Sequence, residues 1–422
     1  GQELRRRLGA ELEIQDQIVT SIYRRAEAIA SKAVSQTDGR ARDWTKAIDD
    51  LLTSKLVGFP LMLLLLGGIL WLTISGANYP SNALAAVFFT LEEQLTLLFM
   101  GWGVPDWLHG IVVLGTFRCL AWVISVMLPP MAIFFPLFTL LEDLGYLPRV
   151  AFNLDNIFKR CGAHGKQALT MAMGFGCNAA GVMAARIIDS PRERMIAILT
   201  NNFIPCNGRF PLLISMAALF LGAGGLKYGT AAASLTVVSM VLLGIGVSFL
   251  ISYILSHTLL RGASSSFALE LPPYRRPQVL QVLVRSVLDR TLFVLWRAVK
   301  VAAPAGALVW VLANIDVGGM SIIEHLAGYL EPAGRLMGMD GFILLAFILG
   351  LPANEIVIPT LMMSYLGAGA LMELDSLSAM GELLAARGWT WLTALNVMVF
   401  SVLHFPSSMR PADGNGRQPL PH

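Results

Sequence analysis

The sequence predicts an all-α polytopic membrane protein, built as an inverted repeat with two re-entrant hairpins and discontinuous helices. Three observations lead to this fold class: an apolar composition, several apolar runs long enough to cross a bilayer, and two pairs of matched interruptions within those runs. Of the 422 residues, 55% are hydrophobic and 14% are charged, whereas about 25% charged residues is typical of soluble domains. This composition and a mean hydropathy of +0.64 argue against a soluble enzyme. The net charge of +3 is too small to indicate a nucleic-acid-binding protein.

Residues 1–55 carry many charges of both signs, and their apolar residues recur at helical periodicity. They are interpreted as the helical end of a cytosolic region, followed from Trp44 to Lys55 by an amphipathic helix at the membrane surface. Because the chain begins at Gly1 and not at a methionine, we expect that a further N-terminal region originally preceded it.

The distribution of basic residues predicts the topology. The first span is predicted from Val57 to about Gly76, and no Lys or Arg occurs between residues 56 and 117. By the positive-inside rule, the N-terminus is cytosolic and the connection 77–106 is external. Further spans are predicted at about 107–141, 195–220, 229–256, 291–312 and 389–405, the first of them kinked or divided at Pro129-Pro130. The remaining connections are predicted to be cytosolic at 142–166 and 257–290 and external at 313–340.

Two apolar stretches are interrupted by the same pattern, Gly-x-x-x-Asn. Gln167 to Ile188 is broken at Gly174-Phe-Gly-Cys-Asn178, and Phe342 to about Leu366 is broken at Gly350-Leu-Pro-Ala-Asn354. A second pair follows at Pro205-Cys206-Asn207 and Pro406-Ser407-Ser408. Although Gly and Pro are common in membrane helices, corresponding interruptions in two halves of a chain indicate a transport site.

Cysteines at the interruptions are the leading candidates for binding. Cys177 and Cys206 lie beside Asn178 and Asn207, and thiolates next to freed backbone carbonyls suit a borderline or soft divalent metal. The alternative is that both are small buried apolar residues, which is the interpretation given to Cys119 and Cys161.

Glu355 and His404 are supporting candidates, together with Asn178 and Asn354. Glu355 directly follows Asn354 in an apolar region, where a carboxylate is costly and commonly functional. His404 lies near the end of the last span and is either structural or a metal ligand. Arg118 is an unusual charge within a span, and its role is left open by the sequence.

Motifs for hydrolytic chemistry are absent from the sequence. It contains no G-x-x-x-x-G-K-[ST], no H-E-x-x-H and no G-x-S-x-G. We therefore expect this chain to be no enzyme and to bind no cofactor of its own.

Several motifs together resemble the membrane domain of the ferrous iron transporter B family (FeoB), over about residues 14 to 408. They are Leu141-Glu-Asp-Leu-Gly-Tyr-Leu147, Gly174-Phe-Gly-Cys-Asn178, Pro205-Cys-Asn-Gly-Arg-Phe-Pro211, Leu271-Pro-Pro-Tyr274 and Pro352-Ala-Asn-Glu-Ile-Val357. The resemblance implies a protein of the bacterial cytoplasmic (inner) membrane that imports Fe²⁺ as its substrate. The metal-binding set expected from the motifs is Cys177, Cys206, Glu355, Asn178, Asn354 and His404.

The resemblance also implies partners. Family members carry an N-terminal GTP-binding domain, so GTP is expected only through a region that this chain lacks. Small cytosolic Feo accessory proteins, the lipid bilayer and possible homo-oligomers are the other expected partners, with no nucleic acid among them. The family often has Cys at the position of Ser407 and a further span after it, and this chain differs at both points.

The expected organisation has six parts. They are a cytosolic helical tail with an interfacial helix at 1–55, the first span and an external amphipathic segment at 56–106, a first gate repeat at 107–228, a linking span and cytosolic connection at 229–290, a second gate repeat at 291–408 and a polar tail at 409–422. Two other function classes remain open: a transporter of nucleosides or another organic solute, and a membrane scaffold that transports nothing.

Overall fold

In a computed structural model the chain is almost entirely helical, which confirms the all-α polytopic fold class. The structure describes residues 44–54, 57–163, 165–188, 190–222, 229–260, 279–372 and 377–404, with a few separate positions between 18 and 33. The predicted break at Pro406-Ser407-Ser408, the polar tail and most of the 257–290 connection lie outside these residues.

The described residues form sixteen helices, nine of them in the first half of the chain. These nine are α1 (Trp44–Leu52), α2 (Gly58–Gly101), α3 (Asp106–Asp143), α4 (Tyr146–Arg160), α5 (Gln167–Gly176), α6 (Asn178–Ala184), α7 (Pro191–Thr200), α8 (Phe210–Ala217) and α9 (Gly229–His257). The helix α3 is π-helical over Gly110–Phe117. Short 3₁₀ turns follow α6 at Ala185–Ile187 and α7 at Asn201–Phe203.

The second half adds seven helices and a small antiparallel β-hairpin. The helices are α10 (Val279–Arg285), α11 (Leu292–Asn314), α12 (Ile322–Leu336), α13 (Gly341–Leu349), α14 (Val357–Leu366), α15 (Leu377–Ala386) and α16 (Trp391–Leu403). The strands β1 (Asp316–Val317) and β2 (Met320–Ser321) pair before α12. A 3₁₀ turn at Asn354–Ile356 joins α13 to α14.

Among the described residues, four helices are long and apolar enough to cross a membrane, and up to six if each bent pair counts as one span. The four include α2 and α3. The bent pairs are α12 with α13, at 109°, and α15 with α16, at 106°. These elements agree with a multi-pass membrane protein.

The first span differs from the prediction. It does not end near Gly76, because α2 continues through Pro80 to Gly101 and replaces most of the predicted external connection by helix. Its 44 residues correspond to about 66 Å of helix, which exceeds the ~30 Å hydrocarbon core. After Gly76 the chain remains rich in Ala, Leu and Phe, and the continued helix is held by packing along α3.

The pair Pro129-Pro130 does not divide the next apolar run. The helix continues from Arg118 to Asp143 through these prolines and Pro136, so the single-helix alternative is the correct one. Pro129, Pro130 and Pro136 are all buried, and neighbouring helices are what allow prolines within membrane helices.

Both predicted breaks produce hairpins. In hairpin 1, formed by α5 and α6, a methyl group placed on Gly181 would lie 2.8 Å from the carbonyl oxygen of Thr170, so the two arms are antiparallel. In hairpin 2, formed by α13 and α14, the rings of Phe342 and Tyr365 lie 5.7 Å apart at the open end. The insertion of the hairpins from opposite membrane faces stays a prediction.

A buried ion pair joins the N-terminal helix to the region of hairpin 1. Arg149 of α4 donates from Nε to Asp49 Oδ1 at 3.0 Å and from Nη1 to the Gly145 carbonyl at 2.7 Å. The carboxylate of Asp155, also on α4, accepts the Gly165 backbone N–H at 3.0 Å. These bonds connect α1 through α4 to the segment that begins hairpin 1.

Candidate functional site

The tips of the two hairpins enclose a small cavity of about 20 Å³, which is room for about one water molecule or ion. Five of the six predicted site residues line it. The lining residues are Met127, Met131, Gly176, Cys177, Asn178, Cys206, Asn207, Gly208, Asn354 and Glu355. We call this space the cysteine cavity.

Cys177 lies at the tip of hairpin 1. It ends α5 in an extended conformation, with φ −154° and ψ 125°, and α6 begins at the next residue. The backbone N–H groups of Ala179 and Ala180 therefore point at its sulfur. Donors in this position stabilise a negative sulfur, which is the form that binds metals.

Cys206 comes from the loop between α7 and α8. Its sulfur faces the backbone N–H groups of Asn178 and Gly208, so the start of α6 contributes to both sulfur environments. The Asn207 backbone N–H donates to the Gly176 carbonyl at 3.4 Å and holds the loop against the first break. Both thiols are free and buried.

The two breaks share backbone geometry. Ala353 occupies in hairpin 2 the place of Cys177, with φ −153° and ψ 121°. The following residues, Asn178 and Asn354, are 5% and 9% exposed. Neither Asn178 amide atom has a hydrogen-bond partner, nor does Asn354 Oδ1. Buried polar atoms without partners are costly, so these three atoms are candidates for contact with water or a ligand.

Glu355 brings a carboxylate to the same place. A methyl group on Gly208 would lie 2.1 Å from its Oε1, so the carboxylate rests directly on the Cys206 loop. The Trp122 indole donates to the Glu355 backbone carbonyl at 3.4 Å. Within the described part of the chain, the Glu355 side chain forms no ion pair.

A larger cavity of about 720 Å³ adjoins the cysteine cavity. Gly208, Asn354 and Glu355 line both spaces, so Glu355 lies where they meet. We call this larger space the vestibule. Its other lining residues are Ser81, Asn82, Ala85, Phe89, Arg118, Trp122, Ser125, Val126, Pro211, Leu212, Ser215, Ile358, Pro359, Leu371, Met372 and Met380.

His404 is the predicted site residue that the structure does not bring to the cysteine cavity. Its Nδ1 lies 2.8 Å from the Ser401 carbonyl oxygen, and its ring packs against Phe347 and Phe400. Its backbone carbonyl accepts the side-chain N–H of Asn202 at 2.9 Å. These contacts are those of a buried structural histidine.

Three residues at or near the site are not among those predicted from the sequence. Met127 and Met131, one helical turn apart on α3, place thioethers in the lining of the cysteine cavity. The fully buried Arg209 donates to the carbonyls of Asn202 and Val402, at 2.8 and 3.3 Å. The available signal was Arg209 itself, a charge three residues after Cys206 in an apolar run.

The cysteine cavity brings thiols, side-chain amides and one carboxylate together. Among the residues that the structure describes, no three His, Cys, Asp or Glu side chains are grouped closely enough to hold a metal ion. Asn354 and Glu355 also line the vestibule, whereas the two thiols and Asn178 line only the cysteine cavity.

Two family models match parts of the chain. The model of the Gate family, described as nucleoside recognition, matches residues 124–220 and 295–412, and each segment contains one hairpin. The model of the ferrous iron transport protein B C terminus matches residues 237–289. No solved structure matches the chain.

Curated relatives cover most of this chain. The protein named Fe(2+) transporter FeoB from Staphylococcus aureus (strain COL) is 29% identical over 315 residues, which are 74% of this chain and 46% of the relative. That of Salmonella typhimurium (strain LT2) is 27% identical over 414 residues, which are 94% of this chain and 52% of the relative. The chain thus spans about half the length of the curated relatives it matches. With both family models matched, the chain belongs to the FeoB family, of which it represents the membrane domain.

Proposed function

We propose that this membrane domain carries Fe²⁺ through the cysteine cavity. The observation that carries the proposal is the meeting of two thiols, two asparagine amides with unpartnered atoms and one carboxylate at the tips of two broken helices. The relatives are named Fe(2+) transporter, which supports Fe²⁺ as the cargo.

The proposed path begins in the vestibule. Hydrated Fe²⁺ meets Glu355, exchanges water for the carboxylate and for Asn354, and moves on to Cys206 and Cys177. Thiolates favour Fe²⁺ over the harder cations Mg²⁺ and Ca²⁺. Because the metal must displace the proton of each thiol, uptake weakens as the pH falls.

The two hairpins are proposed to form an inverted repeat. Asn178 and Asn354 are then equivalent, as are Cys177 and Ala353, and Cys206 corresponds to Ser407. The nearly identical backbone angles at the two breaks support this assignment. The match of one family model to two segments of the chain supports it as well.

The test is transport by purified protein in liposomes. We expect time-dependent Fe²⁺ accumulation that Mg²⁺ and Ca²⁺ in tenfold excess do not reduce. Liposomes without protein and liposomes with the variant Cys177→Ser/Cys206→Ser are the controls. No accumulation above these controls would contradict the proposal and favour a non-transporting scaffold.

A nucleoside or similar organic solute is the second candidate. Two observations favour it: the Gate family description, nucleoside recognition, and the vestibule, whose volume and lining by Phe89, Trp122 and Asn82 suit a small organic molecule. The same liposomes distinguish the candidates, since labelled uridine and adenosine should remain outside if Fe²⁺ is the cargo.

The proposed orientation places the chain in the bacterial inner membrane with its N-terminus in the cytosol. We expect a membrane-impermeant thiol reagent added from outside to label Asn82→Cys and to leave Arg275→Cys unlabelled until the membrane is permeabilised. Asn82 lines the vestibule, and Arg275 lies outside the described residues. The opposite labelling pattern would reverse the orientation.

Gly208 is predicted to admit no side chain. A methyl group there would come within 2.1 Å of Glu355 Oε1, so Gly208→Ala should displace the carboxylate and reduce Fe²⁺ uptake about tenfold or more. Gly246→Ala is the matched control, because nothing lies within 4 Å of a methyl group at Gly246. Equal uptake rates in the two variants would show that the Glu355 position is unimportant.

Family membership supports three proposed partners. They are the N-terminal GTP-binding domain, the small cytosolic Feo accessory proteins and further copies of this protein in a homo-oligomer. The bond network from Asp49 through Arg149 offers a physical connection from the N-terminal region to hairpin 1. Purification of a longer protein that includes the upstream region would test whether GTP changes the rate of Fe²⁺ uptake.

A further inference from the structure

An ion pair stands in the wall of the vestibule. Arg118 of α3 donates from Nε to Glu92 Oε1 of α2 at 2.8 Å, and its Nη2 donates to the same oxygen. Glu92 is only 4% exposed, and its other oxygen, Oε2, has no hydrogen-bond partner. The carboxylate is therefore committed to Arg118.

The two charges face the vestibule unequally. Arg118 lines it and also donates from Nη1 to the Leu371 carbonyl at 3.3 Å, and Leu371 lines it as well. Glu92 is not among the lining residues. A cation entering the vestibule thus meets the guanidinium first, with the compensating carboxylate behind it.

A guanidinium in this position has one evident use and one evident cost. It ties α2 and α3 to the segment after hairpin 2, through the Leu371 carbonyl. Since arginine remains protonated in proteins, it would also repel a divalent cation from the space that leads to Glu355. Salt screens a partly buried charge only weakly, so the charge of Arg118 has to be neutralised by a carboxylate close to it.

We propose that Glu92 sets the electrostatic potential of the vestibule: by neutralising Arg118 it opens this space to divalent cations, while Arg118 positions the Leu371 segment. The inference rests on the proposed function only in taking the vestibule as the access path of Fe²⁺. Neither residue binds the metal, so both are positioning residues.

The potential can be measured without transport. Asn82→Cys places a thiol in the vestibule, where its rates of modification by a cationic and an anionic methanethiosulfonate reagent are compared. The parent protein with only its native cysteines gives the background. Adding Glu92→Gln should lower the cationic-to-anionic rate ratio about tenfold. Glu93→Gln, at the exposed neighbouring position on α2, should leave the ratio unchanged.

A double variant separates charge from structure. Glu92→Gln/Arg118→Gln removes both charges and should restore the rate ratio to that of the parent, whereas damage to the fold would persist. An unchanged ratio in Glu92→Gln, or a ratio in the double variant as low as in Glu92→Gln, would overturn the proposal.

Uptake measurements then separate this inference from the transport proposal. If Fe²⁺ is the cargo, Glu92→Gln should raise KM about tenfold, with less effect on kcat, and the double variant should lower KM again. If the parent protein moves no Fe²⁺ while the reagent ratios change as expected, the transport proposal fails and the role of Glu92 stands.

Discussion

Replacing either Cys177 or Cys206 by Ser should reduce Fe²⁺ uptake at least about tenfold, because each substitution removes a soft donor from the path. Serine keeps nearly the same size, so the cavity retains its shape. Each hydroxyl can still accept the backbone N–H groups that face the sulfur, which for Cys206 are those of Asn178 and Gly208. Each substitution should therefore lower the affinity of the path for a borderline metal. The measurement is the initial rate of uptake of radiolabelled Fe²⁺ into proteoliposomes.

The other two cysteines are matched controls. Cys119 is 0% exposed and packs in α3 beside Gly306, away from the lining of either cavity. Cys161 follows α4 and is partly exposed. Cys119→Ser and Cys161→Ser should transport like the parent. Normal uptake by all four single variants would exclude the thiols as donors and leave the carboxylate and amides as the site.

The matched breaks could be predicted because their cause is local. Gly174 and Gly350 begin the same five-residue pattern, and backbone groups freed at such a break need partners in protein or in a cavity. Helix α5 ends at Gly176, within the first motif, and α13 ends at Leu349, immediately before the second. The correspondence of Asn178 with Asn354 in an inverted repeat stays a prediction from the spacing of the two motifs.

Helix ends within apolar regions could not be predicted in this way. The continuation of α2 beyond Gly76 depends on packing against α3, and the charge of Glu92 within it is compensated by a residue 26 positions later. Likewise, the sequence Pro129-Pro130 suggests the end of a helix, but both residues lie within one. Long-range contacts decide both cases, and a single sequence does not contain them explicitly.

The site residues show the same difference between local patterns, which could be predicted, and long-range contacts, which could not. Cys177, Cys206, Asn178, Asn354 and Glu355 are at or next to the breaks, and the structure brings them to one cavity. His404 carried only the general tendency of histidine to bind metals, and it packs against aromatic rings instead. Met127 and Met131 gave no signal among 19 methionines, since their role depends on which face of α3 meets the hairpins.

The carboxylate at the junction of the two cavities should be nearly as important as the thiols. Glu355→Gln keeps the size of the side chain and removes its charge, so we expect Fe²⁺ uptake at low concentration to fall about tenfold or more. The physical reason is that Glu355 is the acidic side chain in the lining of both spaces. In the variant, a dication that leaves water at this point no longer finds a negative charge to compensate its own. The exposed Glu93→Gln is the charge-matched control.

The combination of Glu355→Gln with Cys206→Ser tests whether the donors act in sequence or together. Donors that bind the same ion at the same time each add to its affinity, so the loss in the double variant should then clearly exceed that of either single variant. Donors used one after another at separate barriers make the slower step dominate, and the double variant should then resemble the worse single variant at saturating Fe²⁺. Because no three acidic, thiol or imidazole side chains are grouped as a metal site in the described chain, we expect the sequential result. A loss equal to the product of the single effects at every Fe²⁺ concentration would contradict a stepwise path from Glu355 to Cys206.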